Sequence, residues 1–140
     1  MSMVSPAPAI MAKRVTVRSG RLLCDVEVSP QWHYSTPALA RAVLQTYPEL
    51  SRHACVNGVS DTFGAVIAET SLPHLLEHVA ISLQVRATGR PDATYVGVTA
   101  WTDEARGRAR IQLSFDDDLV ALSAFKQAAD FLNTTIAELD

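Results

Sequence analysis

From Val15 to Val28 apolar and polar residues alternate on both sides of Ser19-Gly20, with Val15 and Val17 before the turn and Cys24, Val26 and Val28 after it. A period of two around a glycine turn predicts a β-hairpin. The period then lengthens. Ser35 or Thr36 can cap a helix with Pro37 in its first turn, carrying Leu39, Val43 and Leu44 up to a stop before Pro48. The stretch from Pro48 to Asp61 is polar and turn-rich and reads as a loop with a short strand, and Thr62 to Ala68 is too brief an apolar run to assign to strand or helix. Ser71 to Val85 is clearer: a serine cap, Pro73 in the first turn, then Leu72, Leu75, Leu76, Val79, Ala80 and Leu83 on one helical face. Two alternating segments, Thr94 to Trp101 and Arg108 to Phe115, flank a charged turn with Gly107 and predict a second hairpin with Ile111, Leu113 and Phe115 inward. Asp116-Asp117-Asp118 opens a last helix, where carboxylates meet the positive end of the dipole, and Lys126 and Asp130 are spaced for a surface ion pair. The order implies an α+β fold: one domain, an antiparallel sheet packed with about three helices.

Composition narrows the function classes. A chain of 140 residues with 48% hydrophobic and 19% charged residues has material for one core. A formal charge of -3 gives no electrostatic reason to expect nucleic acid or an anionic membrane. No apolar run reaches the roughly 18 residues of a membrane span and the first residues lack a secretory signal, so the expected location is cytoplasmic. Cys24 and Cys55 are too few for a disulfide scaffold and are expected as thiols. Residues 1–13, with Ser5-Pro6-Ala7-Pro8, read as a flexible tail ahead of a single domain over 14–140.

His74-Leu75-Leu76-Glu77-His78 is the stretch with reactive spacing. Residues four apart on a helix lie one turn above each other, so His74 and His78 can converge on one metal ion, most naturally zinc. Helical arithmetic puts His74, Glu77 and His78 on a stripe opposite the leucines and predicts that they point outward. The pattern H-x-x-E-H is the inverted zinc-peptidase signature, in which two histidines bind zinc and the glutamate acts as general base on water. Such a face is ordinarily just solvated, but Ile81 and Val85 share the stripe, which suggests a cleft or partner over it. His53 and Cys55, two apart in the upstream loop, are candidates for a third ligand. Asp130 is weaker, because Lys126 pairs with it more simply.

The run from Pro48 through Gln84, with His53-x-Cys55, Gly58 and His74-Leu75-Leu76-Glu77-His78-Val79-Ala80, resembles the amino-terminal domain of cyanophycin synthetases. So does the tail of the chain, with its strand ending in Phe115, its acidic run and its helix reaching Leu132-Asn133. Pro73 stands where that family tends to have glycine, and Arg86 to Asp92 replaces a longer glycine-rich link. The resemblance implies a domain that binds a polymer of aspartate and arginine and in some members cuts it into primers. The ATP-grasp and Mur-ligase-like domains of those synthetases have no room in this length. Three readings follow. The first is a zinc-dependent hydrolase of peptide or isopeptide amides, with Glu77 as base. The second is a non-catalytic module binding polymer or protein, with Asp61, Glu69, Glu77 and Asp116 as receivers of guanidinium groups. The third is a structural zinc site closed by His53, Cys55, His74 and His78. A homo-oligomer or a separate ligase would be the protein partners.

Overall fold

The computed structural model describes residues 7–55 and 57–139. Four strands, β1 (Ile10–Arg18), β2 (Arg21–Val28), β3 (Gly97–Asp103) and β4 (Arg108–Ser114), form one antiparallel sheet in the order β1-β2-β4-β3. Three helices, α1 (Pro37–Thr46), α2 (Leu72–Thr88) and α3 (Asp118–Glu138), cover one side of it. The α+β class read from the periodicities is thus the observed architecture. Gly20 sits at φ 77° and makes the first hairpin turn that a side chain would strain.

Two helices lie side by side under the sheet, α2 beneath β3 and β4 and α3 beneath β1 and β2, with α1 packed against α3. The core forms where alternate strand residues meet the helices: Leu22, Cys24, Ile111 and Leu113 from the sheet, Leu75, Leu76 and Val79 from α2, Phe125 and Leu132 from α3. The other side of the sheet is polar and laced by ion pairs, with Arg110 on Asp25 at 2.8 Å and Arg108 on Glu27 at 3.3 Å. Each helix starts where a side chain takes its orphan N–H groups. Thr36 accepts from Leu39 in α1, Ser71 accepts from His74 in α2, and Asp117 accepts from Leu119 and Val120 in α3.

Three expectations are corrected. The first strand begins at Ile10 rather than near Val15, and Ala9 and Ile10 are buried, so 9–13 belong to the folded body and not to a tail. Pairing across to Val28 is what recruits them, since Ile10 stands opposite it in the register. Of the predicted tail, residues 1–6 lie outside the described residues. Second, Phe115 is only half-buried because it stands past the end of β4. Third, α2 is not two-faced: Glu77 is 4% exposed and His78 3% exposed, although both were expected to point outward. Helical periodicity separates one face from the other but does not say what covers the second face. Here Phe63 and β3 cover it. Thr62 to Ala68 resolves into a short 3-10 turn at Phe63–Ala65, and Pro48–Arg52 into another, with a single bridge from Ala54 to Thr62.

A candidate metal and catalytic cleft

The second face of α2 is the floor of a cleft of about 630 Å³. Its floor carries His74, Glu77, His78 and Ile81, one wall is Ala54 and Cys55, and the other wall is Tyr95 to Thr99. A second cavity of about 350 Å³, lined among others by His53, Ser82, Pro91 and Tyr95, shares His78 and Ile81 with the first. The sequence forces this arrangement locally. Ser71 and Pro73 start α2 in a fixed frame, and the 3-10 turn at Pro48–Arg52 delivers His53 and Cys55 back over it. The stretch at Phe63–Ala65 then lays the Phe63 ring on the His78 ring, centroids 3.8 Å apart and nearly parallel.

Each histidine is oriented by a partner. His74 Nδ1 is 2.7 Å from Thr70 Oγ1, which leaves its Nε2 turned toward Cys55 Sγ at 3.6 Å. His78 Nδ1 is 3.0 Å from His53 Nδ1, and the other nitrogen of His53 is 3.1 Å from Ser82 Oγ. One ligand atom from each of Cys55, His74 and His78 lies within 4.8 Å of the other two. His53 is not in that group; it is bonded to His78 and Ser82 instead. Of the two candidates for a third ligand, the geometry therefore brings Cys55 to the histidines. Asp130 lies elsewhere, its carboxylate 2.9 Å from Lys126 Nζ. Asp61, Glu69 and Asp116 are exposed and do not line the cleft with Glu77.

A tetrahedral zinc with bonds of about 2.3 Å to sulfur and 2.0 to 2.1 Å to nitrogen sets those two atoms about 3.6 Å apart. Cys55 and His74 stand at that separation. Burial also keeps the three rings neutral. His53 and His74 are held below the usual imidazole range by desolvation, and His78 is pushed down to about 2, by burial first and then by its two histidine neighbours. Neutral imidazole is the form that binds metal.

Glu77 is the remaining reactive group. Its Oε1 accepts from Thr99 Oγ1 at 2.7 Å, and its Oε2 is 3.5 Å from His78 Nε2. Burial raises its pKa to about 7, partly offset by the Thr99 hydrogen bond. Gly97 makes room for it, since a Cβ there would stand 2.5 Å from Glu77 Oε2. Sequence reasoning missed Thr70, Ser82, Gly97 and Thr99. Nothing in their spacing marks them, because each acts across a contact with a distant segment.

The model of one protein family, described as the cyanophycin synthase-like N-terminal domain, matches residues 23–137. That span holds every residue of the cleft and leaves out β1. No curated protein matches the chain.

Proposed function

The chain therefore belongs to the cyanophycin synthase-like N-terminal domain family, and from its cleft we propose that it is a zinc-dependent hydrolase of peptide or isopeptide amides. The observation that carries this reading is the gathering of Cys55, His74 and His78 within 4.8 Å, with the Glu77 carboxylate beside them. Three protein ligands are the number used by catalytic zinc, which keeps one position open, whereas structural sites use four. When bound there, the ion supplies Lewis acidity, polarising an amide carbonyl and making water more acidic.

The chain's own residues do the rest. Glu77 takes a proton from the attacking water and passes it to the nitrogen that leaves as the C–N bond breaks. Thr99 holds the carboxylate in place through its hydrogen bond. Thr70 fixes the ring of His74, while His53 and Ser82 fix that of His78. Phe63 stacked on His78 keeps water off the inner side of the site.

An aspartate polymer bearing arginine is the first substrate to offer, followed by β-aspartyl peptides. No helix among the described residues is long and apolar enough to cross a membrane. Both cysteines are free, which supports the cytoplasm as the compartment. Incubation of the zinc-loaded protein with the polymer should release fragments, a chelator should stop the release, and zinc should restore it. Binding without any fragments over a long incubation would remove the hydrolase and leave a non-catalytic binding module.

A further inference from the structure

Because β3 is the outer strand on its side of the sheet, half of its backbone groups have no neighbouring strand. The register identifies them. Ser114 donates its N–H to Val96 O at 2.8 Å and Val28 donates to Gly107 O at 2.8 Å. In an antiparallel ladder bonded pairs alternate with unbonded ones. Val98 and Ala100 therefore bond with Gln112 and Arg110, which stand opposite them. The N–H and C=O of Gly97, Thr99 and Trp101 point away from β4, and no other described residue takes their bonds.

This open row borders the cleft. Val96, Gly97, Val98 and Thr99 form its wall, and Thr99 faces both ways, with its hydroxyl on Glu77 and its backbone on the free edge. No charged residue stands on β3 before Asp103. Toward solvent the strand offers Val98, 56% exposed, and Val96 just before it, 70% exposed. Unpaired strand edges are normally guarded by charge, bulges or a covering group. On β3 the register slips only between Trp101 and Asp103, so from Gly97 to Trp101 the edge is regular and uncharged. Such an edge beside a reactive carboxylate is the geometry of strand addition, in which main-chain bonds give affinity and alternate side chains give selectivity.

We propose that the free edge of β3 takes an extended, α-linked polypeptide as a fifth strand, which brings the polypeptide's backbone alongside Glu77. The side chains of the added strand alternate. One set faces the floor at His74, Glu77 and His78, and the other packs beside Val98 and Ala100, where β-branched residues fit best. The consequence for catalysis rests on the hydrolase reading of the cleft, whereas the strand pairing itself does not.

The test uses the full chain carrying Glu77→Gln, which binds without cleaving, with and without added zinc. The probe is a capped Lys-Ser-Val-Ser-Val-Ser-Val-Lys peptide, and the readout is amide hydrogen exchange residue by residue. At a peptide concentration ten times its Kd, exchange at Gly97, Thr99 and Trp101 should slow by about tenfold. Val98 and Ala100, already bonded to β4, should not change. N-methylating the serine amides or the valine amides of the probe should abolish the protection in one case and spare it in the other. Absence of protection at millimolar peptide, or equal protection by both methylated probes, would overturn the proposal. Protection already present without peptide and lost on dilution would overturn it too, since the occupant would then be a second copy of this chain. A failed cleavage assay on the wild type leaves the pairing result standing, so the two readings fail separately.

Discussion

The sheet has two edges, and the chain treats them oppositely. On β1, the Asn133 side chain closes the end of the strand: Ile10 N–H donates to its Oδ1 at 3.0 Å and its Nδ2 donates to Ile10 O at 2.9 Å. Farther along, the register slips between Ala12 and Arg14, and Lys13 occupies the irregularity. A side-chain clamp, a bulge and a lysine are devices that deny an edge to another strand. On β3 the register slips only near the end of the strand, between Trp101 and Asp103; from Gly97 to Trp101 no charged residue stands on it, and the open groups face the cleft that holds Glu77. The contrast teaches that this fold can protect an edge, and that the one left open is the one beside reactive side chains.

Glu77→Gln is the sharpest way to break the assignment of chemistry to the β3 side. The amide keeps the shape but cannot act as a base, so hydrolysis should fall by about 10² to 10⁴, the usual contribution of a general base. Fold and zinc content should stay as in the wild type, checked by circular dichroism and metal analysis. Unchanged turnover would move the base elsewhere.

Gly97→Ala sharpens the same point through packing. The new methyl would crowd Glu77 Oε2 and displace a carboxylate whose position matters. A shift of about 1 Å costs on the order of 10² in rate. The expected result is lower kcat with zinc retained.

Asn133→Ala acts on the closed edge. Losing two part-buried hydrogen bonds should cost about 1–3 kcal/mol of stability, read from the denaturation midpoint, and should speed amide exchange at Ile10. Hydrolysis should be unaffected, because Asn133 lies on the helix beneath the opposite side of the sheet from the cleft. A drop in turnover at full folding would erase the distinction between the edges.

The two cysteines give the smallest effect. Cys24 is fully buried under β2, and desolvation with nearby Asp25 pushes its thiol up to about 12. Cys55 is part-buried in the cleft wall. A maleimide should label the native, metal-free chain at Cys55 alone, and zinc should slow that labelling. Labelling at Cys24 without unfolding would show an opening of the core that this packing does not allow.

These particulars show what a sequence can carry. The elements were legible because their causes are local: Ser71 and Pro73 announce α2, Ser19-Gly20 the first hairpin, and Asp116-Asp117-Asp118 the start of α3. The reactive spacing of His74, Glu77 and His78 was legible for the same reason. What covers that face was not, because Phe63 and Thr99 reach it from other segments and leave no trace in the helix's own period. The start of β1 was missed since its partners are distant: Ile10 pairs with Val28 across the sheet and is clamped by Asn133, 123 positions away. His53 and Cys55 looked equivalent in sequence. Only the path of the loop sends Cys55 to His74 and leaves His53 bonded to His78 and Ser82.

Metal content bears most directly on the central claim, that the cleft beside β3 is a zinc site. Protein purified without chelator or affinity nickel should hold about one zinc per chain, as expected for a single three-ligand site. His78→Ala, checked for folding by circular dichroism, should lower that to background. Zinc near zero in the wild type, or zinc unchanged in a folded His78→Ala protein, would contradict the account.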